Sequence, residues 1–209
     1  MARYTGPACK LCRREGVKLF LKGDRCLSGK CSLDKRSYAP GQHGQGGNKM
    51  AKEYGMQMRE KQKTKRYYGV QEGQFKKYFE KADNTEGVTG ANLLTLLERR
   101  FDNVVYRMGM AESRKEARQL VLHGHFRLNG KKATIPSMIL KPGDVITIRE
   151  ESRSSAKIKE LVEGLEGRVA PKWLTVDKTN VSATINALPT RDDIDLPVEE
   201  QLIVELYSK

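Results

Sequence analysis

Residues 113–149, SRKEARQLVLHGHFRLNGKKATIPSMILKPGDVITIR, constrain the fold more than any other stretch. They compress a helix, a hairpin and a further strand into one unit that leaves no room for a catalytic pocket. Ser113 followed three residues later by Glu116 is a capping box, so a helix starts there. Ala117, Leu120 and Val121 share one face of it, and Arg114 and Arg118, four apart, share another. Gly124 stops the helix. Asn129-Gly130, between 126–128 and 133–135, is a two-residue hairpin turn. Pro142-Gly143-Asp144 makes a second turn, followed by the alternating strand 145–148. Arg114 and Lys115 beside the free N–H groups of a helix start favour phosphate. Taken alone, the unit reads as a small α+β domain with a solvated charged helix, and the rest of the chain moves that reading toward RNA.

The 209 residues suffice for one or two domains and carry a formal charge of +13. The charge is uneven. Residues 1–68 hold 17 Lys and Arg against 5 Asp and Glu, whereas the remaining 141 hold 22 against 21. A basic first third implies a polyanionic partner, nucleic acid before an anionic membrane. No apolar run approaches a membrane span, and the start MARYTGPACKLCRREG has no apolar signal core. Hydrophobic residues make up 38% of the chain, low for a compact globule of this size, so part of it is expected to bury surface against a partner.

Residues 1–46 show no persistent periodicity and read as extended loops held at one point. Residues 40–48, PGQHGQGGN, form a flexible joint. From Lys49 a helix is expected, with Met50, Tyr54 and Met58 recurring every four residues. Phe75, Tyr78, Phe79 and Ala82 mark a second helix, Leu93, Leu94, Leu96 and Leu97 a third, and Val104, Val105 and Met108 a short fourth. Residues 152–167 suggest one helix around Ile158, Leu161, Val162 and Leu165. Residues 173–176 and 181–185 suggest two strands. In the tail, Leu202-Ile203-Val204 fits a strand, but Pro197 ahead of Glu199-Glu200 favours a helix.

Cys9-x2-Cys12, thirteen residues, then Cys26-x4-Cys31 is the sharpest chemical signal. Four cysteines in a chain without a secretory leader argue for metal rather than disulfides. Two chelating pairs can close a tetrahedral site, zinc first and a four-iron cluster second. Four protein ligands leave no open coordination position, so such a metal would be structural and would order a segment unable to fold alone. Lys10, Arg13, Arg14, Lys18, Lys22, Arg25 and Lys30 surround the pairs and would stabilise thiolates.

Residues 59–66, REKQKTKR, set five cations against Glu60. Either the run is a solvated helix face, or phosphates neutralise it; agreement with the neighbouring regions favours RNA. No enzyme emerges. His43, His123 and His125 have no nucleophile arrangement around them, and no phosphate-cradling glycine loop follows a strand. Asp192, Asp193, Asp195, Glu199 and Glu200 form a late acidic cluster, read as a solvated face or a docking surface for a basic protein rather than catalytic carboxylates. An RNA-modifying enzyme would need a large catalytic domain that this chain lacks. A free RNA chaperone or repressor is the other alternative.

Residues 101–153, FDNVVYRMGMAESRKEARQLVLHGHFRLNGKKATIPSMILKPGDVITIREESR, resemble the S4 RNA-binding module, with Phe101 where that family usually has leucine. The start MARYTGPACKLCRREGVKLFLKG, the joint RSYAPGQHGQ, the helix REKQK and the close LPVEEQLIVELYSK resemble the full-length S4 family of small-subunit ribosomal proteins, in its cysteine-bearing subset. The resemblance implies an α+β fold: a mostly helical domain, an inserted small α+β RNA-binding module with a short antiparallel sheet on helices, and a metal-pinned irregular N-terminal segment. Boundaries are expected at 1–46, 47–97, 98–170 and 171–209. It also implies early binding to small-subunit ribosomal RNA at a helix junction, contacts with small-subunit proteins five and three, and a place where mRNA enters. An influence on decoding accuracy and repression of the protein's own mRNA belong to the same expectation, which includes no membrane and no small-molecule substrate. The RNA contacts expected are Arg3, Arg13, Arg14, Lys35, Arg36, Arg59, Lys61, Lys63, Lys65, Arg66, Arg100, Arg107, Arg114, Lys115, Arg118, His123 and Lys131. The metal ligands are Cys9, Cys12, Cys26 and Cys31, and the protein-facing residues are the five late acids.

Overall fold

The computed structural model describes residues 3–46, 52–165 and 167–208. The chain divides into two compact units. One joins Met1–Leu93 to Leu196–Lys209, and the other is the intervening Leu94–Asp195.

In the first unit, α1 (Ala8–Glu15) replaces the extended loop expected before Gly16. Pro7 precedes its first turn with extended backbone, and Gly16 ends it at φ 71°. The single turn α2 (Ser32–Lys35) follows Cys31. Then come α3 (Glu53–Tyr67), α4 (Glu72–Asp83) and, at the end of the chain, α10 (Glu200–Tyr207). The expected helix start at Lys49 and Met50 lies outside the described residues.

The buried side of α3 is not the methionine–tyrosine stripe. Tyr54 is exposed, while Gln57, Lys61, Thr64 and Tyr67 are buried. These polar residues tolerate burial because each is hydrogen-bonded. Gln57 donates to Glu53 at 3.2 Å and to Glu205 of α10 at 3.1 Å; Lys61 donates to Glu72 at 2.7 Å; the Thr64 hydroxyl donates to the Glu60 carbonyl at 3.0 Å. The tail is helical, and Tyr207 shows why. Its ring stacks 4.6 Å from Phe79, and its hydroxyl donates to Glu72 at 2.9 Å.

Helix α5 (Thr89–Glu98) is where the chain passes into the second unit. That unit contains α6 (Phe101–Arg107), α7 (Arg114–Leu122), β1 (Phe126–Leu128), β2 (Lys131–Ala133), β3 (Val145–Ile148), α8 (Glu150–Arg153), α9 (Ala156–Glu163), β4 (Leu174–Asp177) and β5 (Ser182–Ile185). The strands form one antiparallel sheet in the order β2-β1-β3-β5-β4. Its inner face, with Phe126, Ile146, Ile148, Ala183 and Ile185, packs with Val104 and Val105 of α6, Ala117 and Val121 of α7 and Ile158 of α9 into one apolar core.

Asn129 and Gly130 both have positive φ, 50° and 77°, as the tight hairpin requires. The turn pairs Leu128 with Lys131, so β2 begins at once and ends at Ala133 rather than running over 133–135. Ser113 Oγ accepts from the Glu116 N–H at 3.3 Å, but Glu116 reaches the N–H of Glu112, not that of Ser113, so the capping box is shifted by one residue. The helix expected over 152–167 is broken in two near Ser154, whose hydroxyl bonds the Glu151 carbonyl at 3.1 Å in competition with the helix ladder. Because β5 pairs with β3, the strands after residue 170 belong to this sheet and not to the helical unit. The N-terminal 46 residues likewise share a unit with α3 and α4.

Candidate nucleic-acid interface

Four arginines expected at RNA lie inside the second unit. Arg100 is fully buried and grips Asp102 with two bonds, Nε to Oδ1 at 3.0 Å and Nη2 to Oδ2 at 2.7 Å. Arg118, also buried, donates to the same carboxylate at 3.1 Å. Arg114 donates to Asn103 at 2.7 Å, with its guanidinium 4.4 Å from the Tyr106 ring centre. Arg107 binds both oxygens of Glu98, at 2.9 and 3.1 Å, and pairs with Asp195. Asn103 donates to Glu98 at 2.6 Å and closes the network. A charge leaves water only when paired, and Asp102 of α6, Glu98 and Asp195 supply the carboxylates. These residues hold α6 against α7 from within.

Helix α3 is similarly committed. Glu15, whose side chain is 1% exposed, receives Arg66 and, at 3.3 Å, Arg59. Lys63 pairs with Glu60, and Lys61 and Lys65 both reach Glu72, at 2.7 and 3.0 Å. Burial pushes the Glu72 carboxyl up, but hydrogen bonds from Lys61, Lys65 and Tyr207 together outweigh it and hold it at about 2. Two distant acids, Glu15 and Glu72, therefore join Glu60 in neutralising the run.

The accumulation of cations is in the N-terminal segment. A concavity of about 590 Å³ is lined by Pro7, Cys9, Lys10, Arg13, Arg25, Lys30, Ser32, Lys35 and Arg36, six cations with no carboxylate among the described lining residues. Helix α1 brings Lys10 and Arg13, the turn Gly23–Cys26 brings Arg25, and α2 brings Lys35. Arg13 is fixed: its Nε donates to the Tyr38 carbonyl at 3.0 Å, and its guanidinium lies 4.8 Å from the Tyr38 ring centre. Arg14 borders a neighbouring cavity with Tyr38 and 44–46, and Arg3 is exposed. From sequence, Lys10, Arg25 and Lys30 had only a role toward thiolates; standing fifteen and five residues apart, they show no pattern that would reveal that they border the same hollow as Lys35 and Arg36.

None of the four cysteines is joined in a disulfide. Cys12, Cys26 and Cys31 are buried, and Cys9 lines the concavity. Burial pushes the Cys12 thiol up and the other three cysteines add to the rise, while the Leu19 N–H on its sulfur opposes it. Burial likewise raises Cys26, against a bond from the Lys22 N–H. The four sulfurs thus share one electrostatic neighbourhood. Among the described residues, no group of three or more His, Cys, Asp or Glu side chains is arranged to hold a metal ion.

In the second unit His123 and Lys131 are exposed and Lys115 half-buried. The register puts Arg127 opposite Lys132 and Thr147, on the sheet face turned away from the core. Like charges directly opposite are unfavourable unless an anion joins them. His125 is half-buried against Ser152 at 3.0 Å, and burial holds its pKa below the usual value, with His123 and Arg149 adding to the effect. Of the late acids, Asp192, Asp193 and Asp195 lie in the second unit. Asp193 caps its own turn through Thr190, Asp195 pairs with Arg107, and Asp192 is exposed. Glu199 and Glu200 lie in the first unit, where the Glu199 N–H donates to Glu60 at 3.2 Å and Glu200 packs against Gly90.

Residues 3–98 match the family described as Ribosomal protein S4/S9 N-terminal domain, and residues 99–146 match the S4 domain. Over all 209 residues, and over the full length of each relative, the chain is 63% identical to small ribosomal subunit protein uS4 of Clostridioides difficile. It is 60% identical over the same extent to the proteins of that name from Pelotomaculum thermopropionicum and Acetivibrio thermocellus.

Proposed function

Because the chain belongs to the S4 family of small ribosomal subunit proteins, we propose that it is a non-catalytic structural constituent of that subunit, acting in the cytoplasm, and that it grips small-subunit ribosomal RNA first through its N-terminal hollow. One observation carries this reading: six cations converge on a cavity of about 590 Å³ whose described lining has no acid, whereas Arg59, Lys61, Lys63, Lys65 and Arg66 of α3, and Arg100, Arg107 and Arg118 of the second unit, are paired with carboxylates. Unneutralised cations gathered in one concavity attract phosphate by their summed field, and phosphate contacts dominate such affinity. Double-helical RNA hides its base edges, so recognition there is by shape and backbone geometry. Arg127, Lys131 and Lys132 of the hairpin offer a second contact.

One structural metal on Cys9, Cys12, Cys26 and Cys31 is part of the same proposal, zinc before a four-iron cluster. Four cysteines supply the thiolate chemistry that such an ion takes, although their described side chains are not drawn together into a metal-holding group. Burial, with the neighbouring cysteines adding to it, raises the Cys12 and Cys26 thiols, a charge problem that a divalent ion relieves. When bound, the ion would only fix the segment that carries Lys10, Arg13, Arg25 and Lys30. The family resemblance also supports early assembly, a place where mRNA enters, contacts with small-subunit proteins five and three, an influence on accuracy and repression of the protein's own mRNA.

Sedimentation of a cell extract tests the function. The protein is expected to co-migrate with the small subunit at near-equal stoichiometry. A protein found chiefly at the top of the gradient is a free RNA binder, and the reading fails.

A further inference from the structure

Three non-glycine residues among those described have positive φ: Phe20 at 49°, Asn129 at 50° and Val181 at 50°. Asn129 makes the hairpin, and Val181 is buried beside β5. Phe20 differs, because a bulky aromatic is rarely held at such an angle and this one is exposed. It is 38% exposed, between Leu19 at 0% and Leu21 at 6%. A strained backbone persists only where its surroundings over-determine it, and here they do. The two leucines are packed, the Leu19 N–H holds the Cys12 sulfur, and the Lys22 N–H holds the Cys26 sulfur. The loop therefore displays one aromatic ring from a base fixed on both sides.

The setting of that ring is basic. Lys18 and Lys22 flank it in sequence, Lys18 steadied by Asp34 at 2.8 Å. Arg25, on the next turn, lines the cationic hollow. Tyr38, in the same segment, is already occupied by Arg13. An exposed ring on a packed basic loop is the combination that single-stranded RNA requires, with backbone on the cations and a base on the ring.

We propose that Phe20 is a stacking platform for one unpaired RNA base whose adjoining phosphates meet the cations of the same loop. The proposal rests on the ribosomal RNA reading above and narrows it: this part of the site takes an unstacked nucleotide rather than a duplex.

The test uses the full-length reduced chain, with F20W as reporter against the wild type, whose single Trp173 is buried. A single-stranded oligoadenylate is expected to quench the emission of the introduced indole, and inorganic tripolyphosphate, which has charge but no base, is expected not to. F20L keeps apolar bulk without a π face and is expected to bind oligoadenylate about tenfold more weakly while binding duplex RNA as before. F20G accepts the backbone angle and should keep the thermal midpoint while losing the same affinity. Equal quenching by tripolyphosphate, an F20L affinity equal to wild type, or an F20G chain that unfolds would overturn the proposal. If F20L is silent but a ribosomal RNA transcript still binds, only the stacking site is lost. If no RNA binds at all, both readings fall.

Discussion

Arg118 donates to Asp102 across 3.1 Å inside the second unit, and Arg100 takes both oxygens of the same carboxylate. Two arginines on one buried acid make a clamp between α6 and α7, where sequence had suggested a phosphate grip. Changing Arg118 to Ala is therefore predicted to cost stability, about 3 kcal/mol, as expected when one partner of a buried ion pair is removed. Lys131→Ala, at an exposed hairpin position, should stay within about 0.5 kcal/mol. Urea denaturation of both variants decides this; equal midpoints would return Arg118 to the surface.

The pair Arg118–Asp102 also marks the limit of what was legible. Helical spacing placed Arg114 and Arg118 on one face of α7, correctly, but spacing cannot say what that face meets. Glu98 and Asp102 come from neighbouring elements, so their pairing appears only in three dimensions. The hairpin was readable because Asn129-Gly130 is local chemistry with a fixed consequence. The strands near 174 and 182 were readable as strands, yet their membership of the sheet depends on the non-local pairing of β5 with β3. Helix α1 went unseen because a short helix between Pro7 and Gly16, studded with cysteines, leaves little periodic signal.

A second prediction concerns acid. Glu72 has an ordinary value of 4.5 and is held at about 2 in the fold. A lowered carboxyl contributes stability above the unfolded value, lost as pH falls through the folded one. The stability gap between wild type and Glu72→Gln should therefore be full above about 4.5 and close as the pH drops toward 2. The effect is moderated by solvent, since the side chain is 46% exposed. Denaturation midpoints across that range measure it; a gap independent of pH would mean that Lys61, Lys65 and Tyr207 do not act through the charge.

Metal removal gives a third. Protein purified without oxygen should carry one metal equivalent, and a strong chelator should make residues 3–46 protease-sensitive while the buried Trp173 keeps its fluorescence. Unchanged protection of the N-terminal segment after complete metal removal would show that its packing stands without an ion.

Salt dependence of binding to a small-subunit ribosomal RNA transcript, measured by filter retention for the wild type and for the combined Lys30→Ala, Lys35→Ala and Arg36→Ala variant, tests the cationic hollow most directly. The affinity of the wild type should fall steeply with rising salt, and the variant should lose about two to three from the slope of log affinity against log salt. A flat wild-type slope, or a variant whose slope matches it, would contradict the claim that these unpaired cations hold the RNA backbone.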